Sequence, residues 1–212
     1  MDDIETNRSC PARALRTSEV EALVSLLPLL ASSEDAAASA FARLACEPEA
    51  EHAAQTLAAI AREEARHLRW VESVGARLGA HQQRSSRPVQ RFHLRIGRGE
   101  LAERLATVAA VDSAACLIFA SLLAPGRPLS RERTLARVFA RIHREEARHV
   151  RVARVLALPL AVPARLRTAA ATAREGLAEL LVSSGDAFER LGVDADRLLT
   201  NIRRLPSGLF AG

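Results

Sequence analysis

The chain has 212 residues, a formal net charge of +5, 49% hydrophobic and 26% charged residues, and only 3% aromatics. That length buries a sizeable core in one domain, and the abundance of Ala, Leu, Arg and Glu favours helix over sheet, so the expected class is all-α. Every basic residue is Arg, with no Lys, and Tyr is absent, a GC-rich coding pattern that discounts the charge as a pointer to an anionic partner.

Three cysteines, Cys10, Cys46 and Cys116, show no Cys-x-x-Cys spacing, which argues against a disulfide framework and against a thiolate zinc or rubredoxin-type iron site. They are expected to be reduced. The acidic start, Met1-Asp2-Asp3-Ile4-Glu5, lacks the basic and apolar segments of a signal peptide. No uninterrupted apolar stretch approaches the roughly 20 residues that span a bilayer, so no membrane is expected and the cytoplasm is the expected compartment.

Residues 1–17 carry scattered charges without period and read as an N-terminal tail. From Thr17-Ser18-Glu19, apolar residues at Val20, Leu23, Leu26, Leu30 and Phe41 keep a helical spacing as far as Cys46, and Pro28 inside this helix is expected to kink or split it. Glu47-Pro48-Glu49 starts a second helix, with proline at the first turn and acids near the positive end of the dipole; it ends near Leu78-Gly79. Residues 79–97 show no convincing long period and read as a connection. At about 3.3 Å per residue it reaches roughly 60 Å, enough to travel the length of a neighbouring helix, so it predicts a crossover. A third helix follows from about Gly99 to Leu123. Pro125-Gly126-Arg127-Pro128 breaks it, and Ser130 caps a fourth that stops near Leu158-Pro159. Two short-linked hairpins joined by a crossover describe a four-helix bundle over residues 18–158. Pro163 begins a fifth helix, and a short last one covers about Asp194 to Leu205. This extension, 159–212, is expected to cover the bundle or a partner subunit, which is compatible with a homodimer.

The hexapeptide Arg-Glu-Glu-Ala-Arg-His occurs twice, at 62–67 and 144–149. On a helix, residues i and i+3 share a face, so Glu64 with His67 and Glu146 with His149 can each converge on one point, a metal-ligand spacing. One Glu-x-x-His is common by chance; two inside an identical hexapeptide are not. A further acid precedes each copy, Glu34 and Asp112, and each is followed two helical turns later by Phe, at Phe41 and Phe119. The internal repeat therefore covers whole hairpins.

On these motifs the chain resembles the ferritin-like di-iron carboxylate superfamily, with a hairpin pattern similar to that of rubrerythrin-like members and no rubredoxin module. The resemblance implies a ferritin-like four-helix bundle with a long crossover between helices two and three. It implies that Glu64 and Glu146 bridge two metals, that His67 and His149 bind one each, and that Glu34 and Asp112 are terminal ligands. Asp112 departs from the more frequent Glu. Hard oxygen donors with two imidazoles suit two iron ions, with manganese as the alternative. The implied activity is an oxidoreductase that activates dioxygen or peroxide, its electrons supplied by an external donor protein. The lack of Tyr excludes a tyrosyl radical. Two other classes stay open: a non-catalytic iron-binding, storage or ferroxidase-type detoxification protein, and a helical interaction module with a vestigial site.

Glu63 and Glu145 read as ion-pair partners of nearby arginines rather than as ligands. Cys116, one turn beyond Asp112, reads as a small core residue, and His52, His81, His93 and His143 as ordinary polar residues. Arg137, Arg141, Arg144, Arg148 and Arg151 form a stripe on one helix face. Without interleaved aromatics it reads as solvated, and nucleic acid is disfavoured as a partner.

Overall fold

The structure, a computed structural model, describes residues 15–80 and 86–206, all of whose regular elements are helical. Most of the tail expected over residues 1–17 lies outside the described residues, as does His81. Five long helices carry the architecture: α1 (Thr17–Leu44), α2 (Ala54–Arg77), α4 (Leu101–Leu123), α6 (Arg133–Ala157) and α7 (Pro163–Leu181), with α3 (Arg87–Ile96), α5 (Pro128–Arg131), α8 (Gly185–Arg190) and α9 (Ala195–Arg203) shorter.

Local chemistry sets the ends. The Glu19 carboxylate accepts the Arg16 N–H at 2.7 Å, closing the start of α1, and takes Arg131 of α5 at 2.8 Å. Pro28 does not split α1, which runs through it unbroken. The buried Leu26, Leu27 and Leu30 around the proline offset the lost backbone hydrogen bond. Glu47-Pro48 starts a 3-10 segment, Pro48–Ala53, rather than α2 itself. The cap of α6 is Glu132, whose side chain accepts the Leu135 N–H at 2.6 Å, not Ser130, which lies within α5. The connection after α2 contains a helix, α3, that the sequence pattern did not announce.

Two apolar clusters sit at opposite ends of the long helices. One gathers Leu23, Leu26, Val71, Phe119, Phe139 and Ile142; the other gathers Phe41, Leu57, Ile60, Leu105, Ala106 and Ala153. Along α1 and α6 the chain passes from the first cluster to the second, and along α2 and α4 from the second to the first. Helices α2 and α4 thus run in the same direction, so the segment between them must return along their length.

Helix α4 is buried nearly all round, packing on α6, α7 and α1, with Ala102, Ala106, Ala109, Ala110 and Ala114 allowing close approach. Among the described residues it alone is long and apolar enough to cross a membrane by length and composition, and 61% of its apolar window is buried inside the protein. Helix α7 lies on α4 through Ala170 and Ala173 against Ala110, and Gly176 admits the ring of Phe92 from α3: a Cβ at that glycine would stand 3.3 Å from it.

Candidate metal centre

Between the two apolar clusters, all four helices α1, α2, α4 and α6 change from apolar to polar at the same level. Glu34, Glu64, His67, Asp112, Glu146 and His149 meet there, each no more than 5% exposed. Burying four carboxylates in one apolar sleeve is costly unless a positive partner accompanies them. The sequence places them there because each lies on the inward stripe of its helix, between the residues that build one cluster and those that build the other.

The six side chains form two overlapping donor groups. Glu34, Glu64, His67 and Glu146 make one, and Glu64, Asp112, Glu146 and His149 the other; within each, one ligand atom per residue lies within 4.8 Å of the rest. Glu64 and Glu146 belong to both. His67 Nδ1 stands 3.0 Å from Glu146 Oε1, 3.2 Å from Glu64 Oε2 and 3.4 Å from Glu34 Oε2. A single N–H can serve only one of those three oxygens well. The first two are hydrogen-bond distances, and they also match the roughly 3.0 Å between two ligands about 2.1 Å from one ion and at right angles to each other, so the same atoms fit a common cation. On the other side, His149 Nδ1 and Glu64 Oε1 are 2.6 Å apart yet lack hydrogen-bond alignment. Both, with Asp112 Oδ2, are buried and without a hydrogen-bond partner. Each such orphaned atom costs about 1–3 kcal/mol. A cation satisfies all three, so the residues fit metal binding.

The imidazoles are held from behind. Glu145 Oε2 is 2.8 Å from His67 Nε2, and Glu63 Oε2 is 2.8 Å from His149 Nε2, so each hairpin's extra glutamate reaches the histidine of the other. A carboxylate there accepts the Nε2 hydrogen and turns Nδ1 toward the cluster, an arrangement typical of metal-binding histidines. Arg141 and Arg66 bind Glu145 at 3.0 and 3.2 Å, and Arg148 binds Glu63. Reading Glu63 and Glu145 as ion-pair partners captured the arginines and missed the histidines. The signal lay in the repeat itself, since both copies double the glutamate. All five arginines of the α6 stripe are exposed, and two of them anchor these carboxylates. Trp70, the chain's one tryptophan, lies 5.6 Å from the His67 ring, with the Arg141 and Arg66 guanidinium carbons 4.6 and 5.5 Å from its centroid.

Protons alone can balance the cluster only by shifting its titration. Burial, with repulsion from neighbouring carboxylates, pushes Glu34 and Asp112 well above the ordinary range and Glu146 up to about 7. Burial also opposes the charge on Glu64, but His149 and His67 flank it and bring it down to about 2. Burial disfavours a charged His67, yet Glu146, Glu34 and Glu64 carry it up to about 12; His149 is raised by Glu64 and Glu146. Cys116 is half-buried, its thiol pushed up to about 12 by burial and by the charges of Glu146 and Asp112, so it stays protonated. Cys46 is free and exposed.

Beside the carboxylates lies a cavity of about 40 Å³ walled by Leu30, Val111, Ile118, Phe119 and Leu177, with Glu34, Glu64, Asp112 and Glu146 on one side. A cleft of about 400 Å³ between α1, α3 and α4 shares Ser33, Ala37, Val111 and Asp112 with it. His93, expected to be an ordinary polar residue, lines this cleft with both ring nitrogens buried and unpaired.

No family model matches the chain, and no curated protein matches it either. The class is defined by the fold and the site: an all-helical protein whose buried carboxylate and histidine groups can hold metal ions. Two such groups overlap, sharing Glu64 and Glu146.

Proposed function

We propose that the chain is a ferritin-like di-metal protein, with two iron ions at the centre, acting as an oxidoreductase on dioxygen or peroxide. The observation that carries this reading is the pair of buried donor groups sharing Glu64 and Glu146. Helix directions support the ferritin-like part: α1 and α2 are antiparallel, α4 and α6 are antiparallel, and a long return segment joins the parallel α2 and α4, the connectivity of a four-helix bundle with one crossover. Three carboxylates and one imidazole around each position are hard donors of the kind that take iron or manganese.

When bound, the metal pair would supply the electrons for reducing dioxygen or peroxide. The protein's own part follows from its residues. Glu64 and Glu146, which belong to both donor groups, would be held in common by the two ions. Glu34 with His67 completes one set and Asp112 with His149 the other, while Glu145 and Glu63 keep each Nδ1 lone pair aimed inward. The apolar clusters above and below exclude water. The small cavity admits a guest of about one or two waters' size, which suits dioxygen or peroxide. Electrons would come from another protein in the cytoplasm.

The test is to load the chain with ferrous iron, measure the iron retained, and admit oxygen while following the optical spectrum. Retention of two ions per chain, with oxidation that stops there and restarts on adding a reductant, supports the oxidoreductase. Uptake far beyond two per chain into a large shell makes storage the better account, and no retention overturns the metal reading.

A further inference from the structure

The cleft between α1, α3 and α4 has a polarity along its length. At one level it touches the metal centre through Asp112, which is 3% exposed and whose Oδ2 has no hydrogen-bond partner. Asp35 and His93 are also in the cleft, and the Asp35 charge acts on the His93 ring. From there α1 and α4 both lead toward the second apolar cluster, and the cleft ends at Arg43 and Arg104. The eight residues from Arg104 to Asp112 correspond to about 12 Å of helix.

The two arginines differ. Arg104 is paired with Glu47 at 2.5 Å. Arg43 is exposed, and among the described residues no carboxylate pairs with it. Between the arginines and the aspartates the walls are apolar or small: Val108 and Val111 from α4, Ala37 and Ala40 from α1, and Leu94 from α3. Leu94 is 69% exposed, the most exposed large apolar residue among those described, and an apolar guest in the cleft would cover it. A chamber of this volume is at the lower end of the range for small-molecule sites.

We propose that this cleft binds an amphipathic organic anion, its carboxylate or phosphate head on Arg43 and its apolar chain along Val108 and Val111 toward Asp112. The orientation is set by charge: exposed Asp35 disfavours an anionic head at the inner end, while Arg43 receives it at the outer one. The run of the cleft along α4, from Arg104 to Asp112, is about 12 Å, the length of a medium-chain acid. Its far end then abuts the wall shared with the small cavity, which makes such a molecule the substrate class of the proposed oxidoreductase. That consequence rests on the metal reading; the binding itself does not.

The test is calorimetric titration of the full chain, both metal-free and iron-loaded, with decanoate, decyl phosphate, decanol and decylamine below their micellar concentrations. Decanoate or decyl phosphate should bind one per chain, whichever head fits better naming the source, and decylamine should not compete. Arg43→Gln should weaken binding about tenfold, as expected for one charge-assisted contact. Ser39→Trp, at an exposed position of the cleft wall, should remove binding. Failure of both anions to bind at millimolar concentration, equal binding of decylamine, or indifference to both substitutions would overturn the inference. Metal content measured on the same samples separates the two readings: anion binding to a chain that retains no iron leaves the cleft assignment standing and removes only the oxidase.

Discussion

Helices α1 and α2 bring Glu34, Glu64 and His67 to the centre; α4 and α6 bring Asp112, Glu146 and His149. What the hairpins repeat is a donor set that can hold metal ions: a shared glutamate, an imidazole, and a glutamate lent to the other hairpin's histidine. What they do not repeat lies around it. Phe41 meets the His149 ring edge-on at 6.0 Å, whereas Phe119 stacks on Phe139 at 5.7 Å. Trp70 and its two arginines flank only His67, and the terminal acid is one methylene shorter on α4. The repeated part supplies donors that can hold metal ions, and the unrepeated part makes their surroundings one-sided.

The largest effect should come from breaking what the hairpins share. Glu64→Ala with Glu146→Ala removes a donor from both groups at once, so metal content should fall from two ions per chain to none, measured by elemental analysis after iron loading. Retention of two ions would sink the assignment.

The next effect is on stability against pH. Glu146 titrates near 7 when folded and near 4.5 when not, so between those values the folded chain keeps a proton that the unfolded chain has lost. Its contribution is complete below about pH 4.5 and is lost as pH rises to about 7. Glu34 and Asp112, also raised, extend the loss upward. His67 has the same sign: its folded value near 12 stabilises the fold below about 6.5, progressively lost at higher pH. Glu64 and Glu145, both lowered to about 2, stabilise above about 4.5 and are lost toward acid. The metal-free chain should therefore be most stable near pH 5 and lose on the order of a few kcal/mol by about pH 8. Iron loading should remove that slope, because a bound cation replaces the protons. Calorimetric melting in chelator and with iron checks both; a metal-free melting point that rises from pH 5 to 8 would refute the prediction.

Those groups were readable because helical periodicity and a repeated hexapeptide are local signals. Glu64, His67, Glu146 and His149 follow from spacing, and Glu34 and Asp112 from the repeat extended to whole hairpins. The repeat doubles the glutamate in both copies and so marks Glu63 and Glu145 as equivalent, but it does not say which histidine each reaches, since each acts on the opposite helix and no pattern within one helix encodes a contact across the interface. Helix α3 escaped because it is short and lies in a segment with Gly, Ser and Pro, and its buried face, Val89 and Phe92, acquires meaning only against Gly176 of α7. The split expected at Pro28 did not occur, because packing on both sides of it outweighs the local penalty.

A smaller effect tests the crossed glutamates. Glu145→Gln and Glu63→Gln keep the shape but weaken the hold on Nε2, so iron affinity should fall by about 10–100-fold, as for other groups that orient a ligand. Glu145→Gln should be the worse, because it removes the partner of Arg141 and the nearer of Arg66's two carboxylates beside His67. Competition with a chelator of known affinity measures this, and unchanged affinity in both variants would return these residues to plain ion pairing.

The smallest expected effect concerns the difference between the terminal acids. With Asp112 shorter than Glu34, the two positions should be inequivalent, and iron should fill them in two distinguishable steps. Asp112→Glu restores the repeat. The added methylene has somewhere to go, since the cavity of about 40 Å³ lies against Asp112, so the cost in folding should stay below about 1.5 kcal/mol. The carboxylate would then reach as Glu34 does on the opposite side, and the two filling steps should merge. The same substitution occupies part of the space reserved for a small guest, so reaction with oxygen should slow even as binding becomes more even. Calorimetric titration with ferrous iron under nitrogen, followed by stopped-flow mixing with oxygen, separates the outcomes. Merged binding with slower oxidation supports a centre in which the shorter acid keeps one side open. Two unchanged steps would place the inequivalence elsewhere, with Trp70 and the arginines around His67 as the next difference to remove.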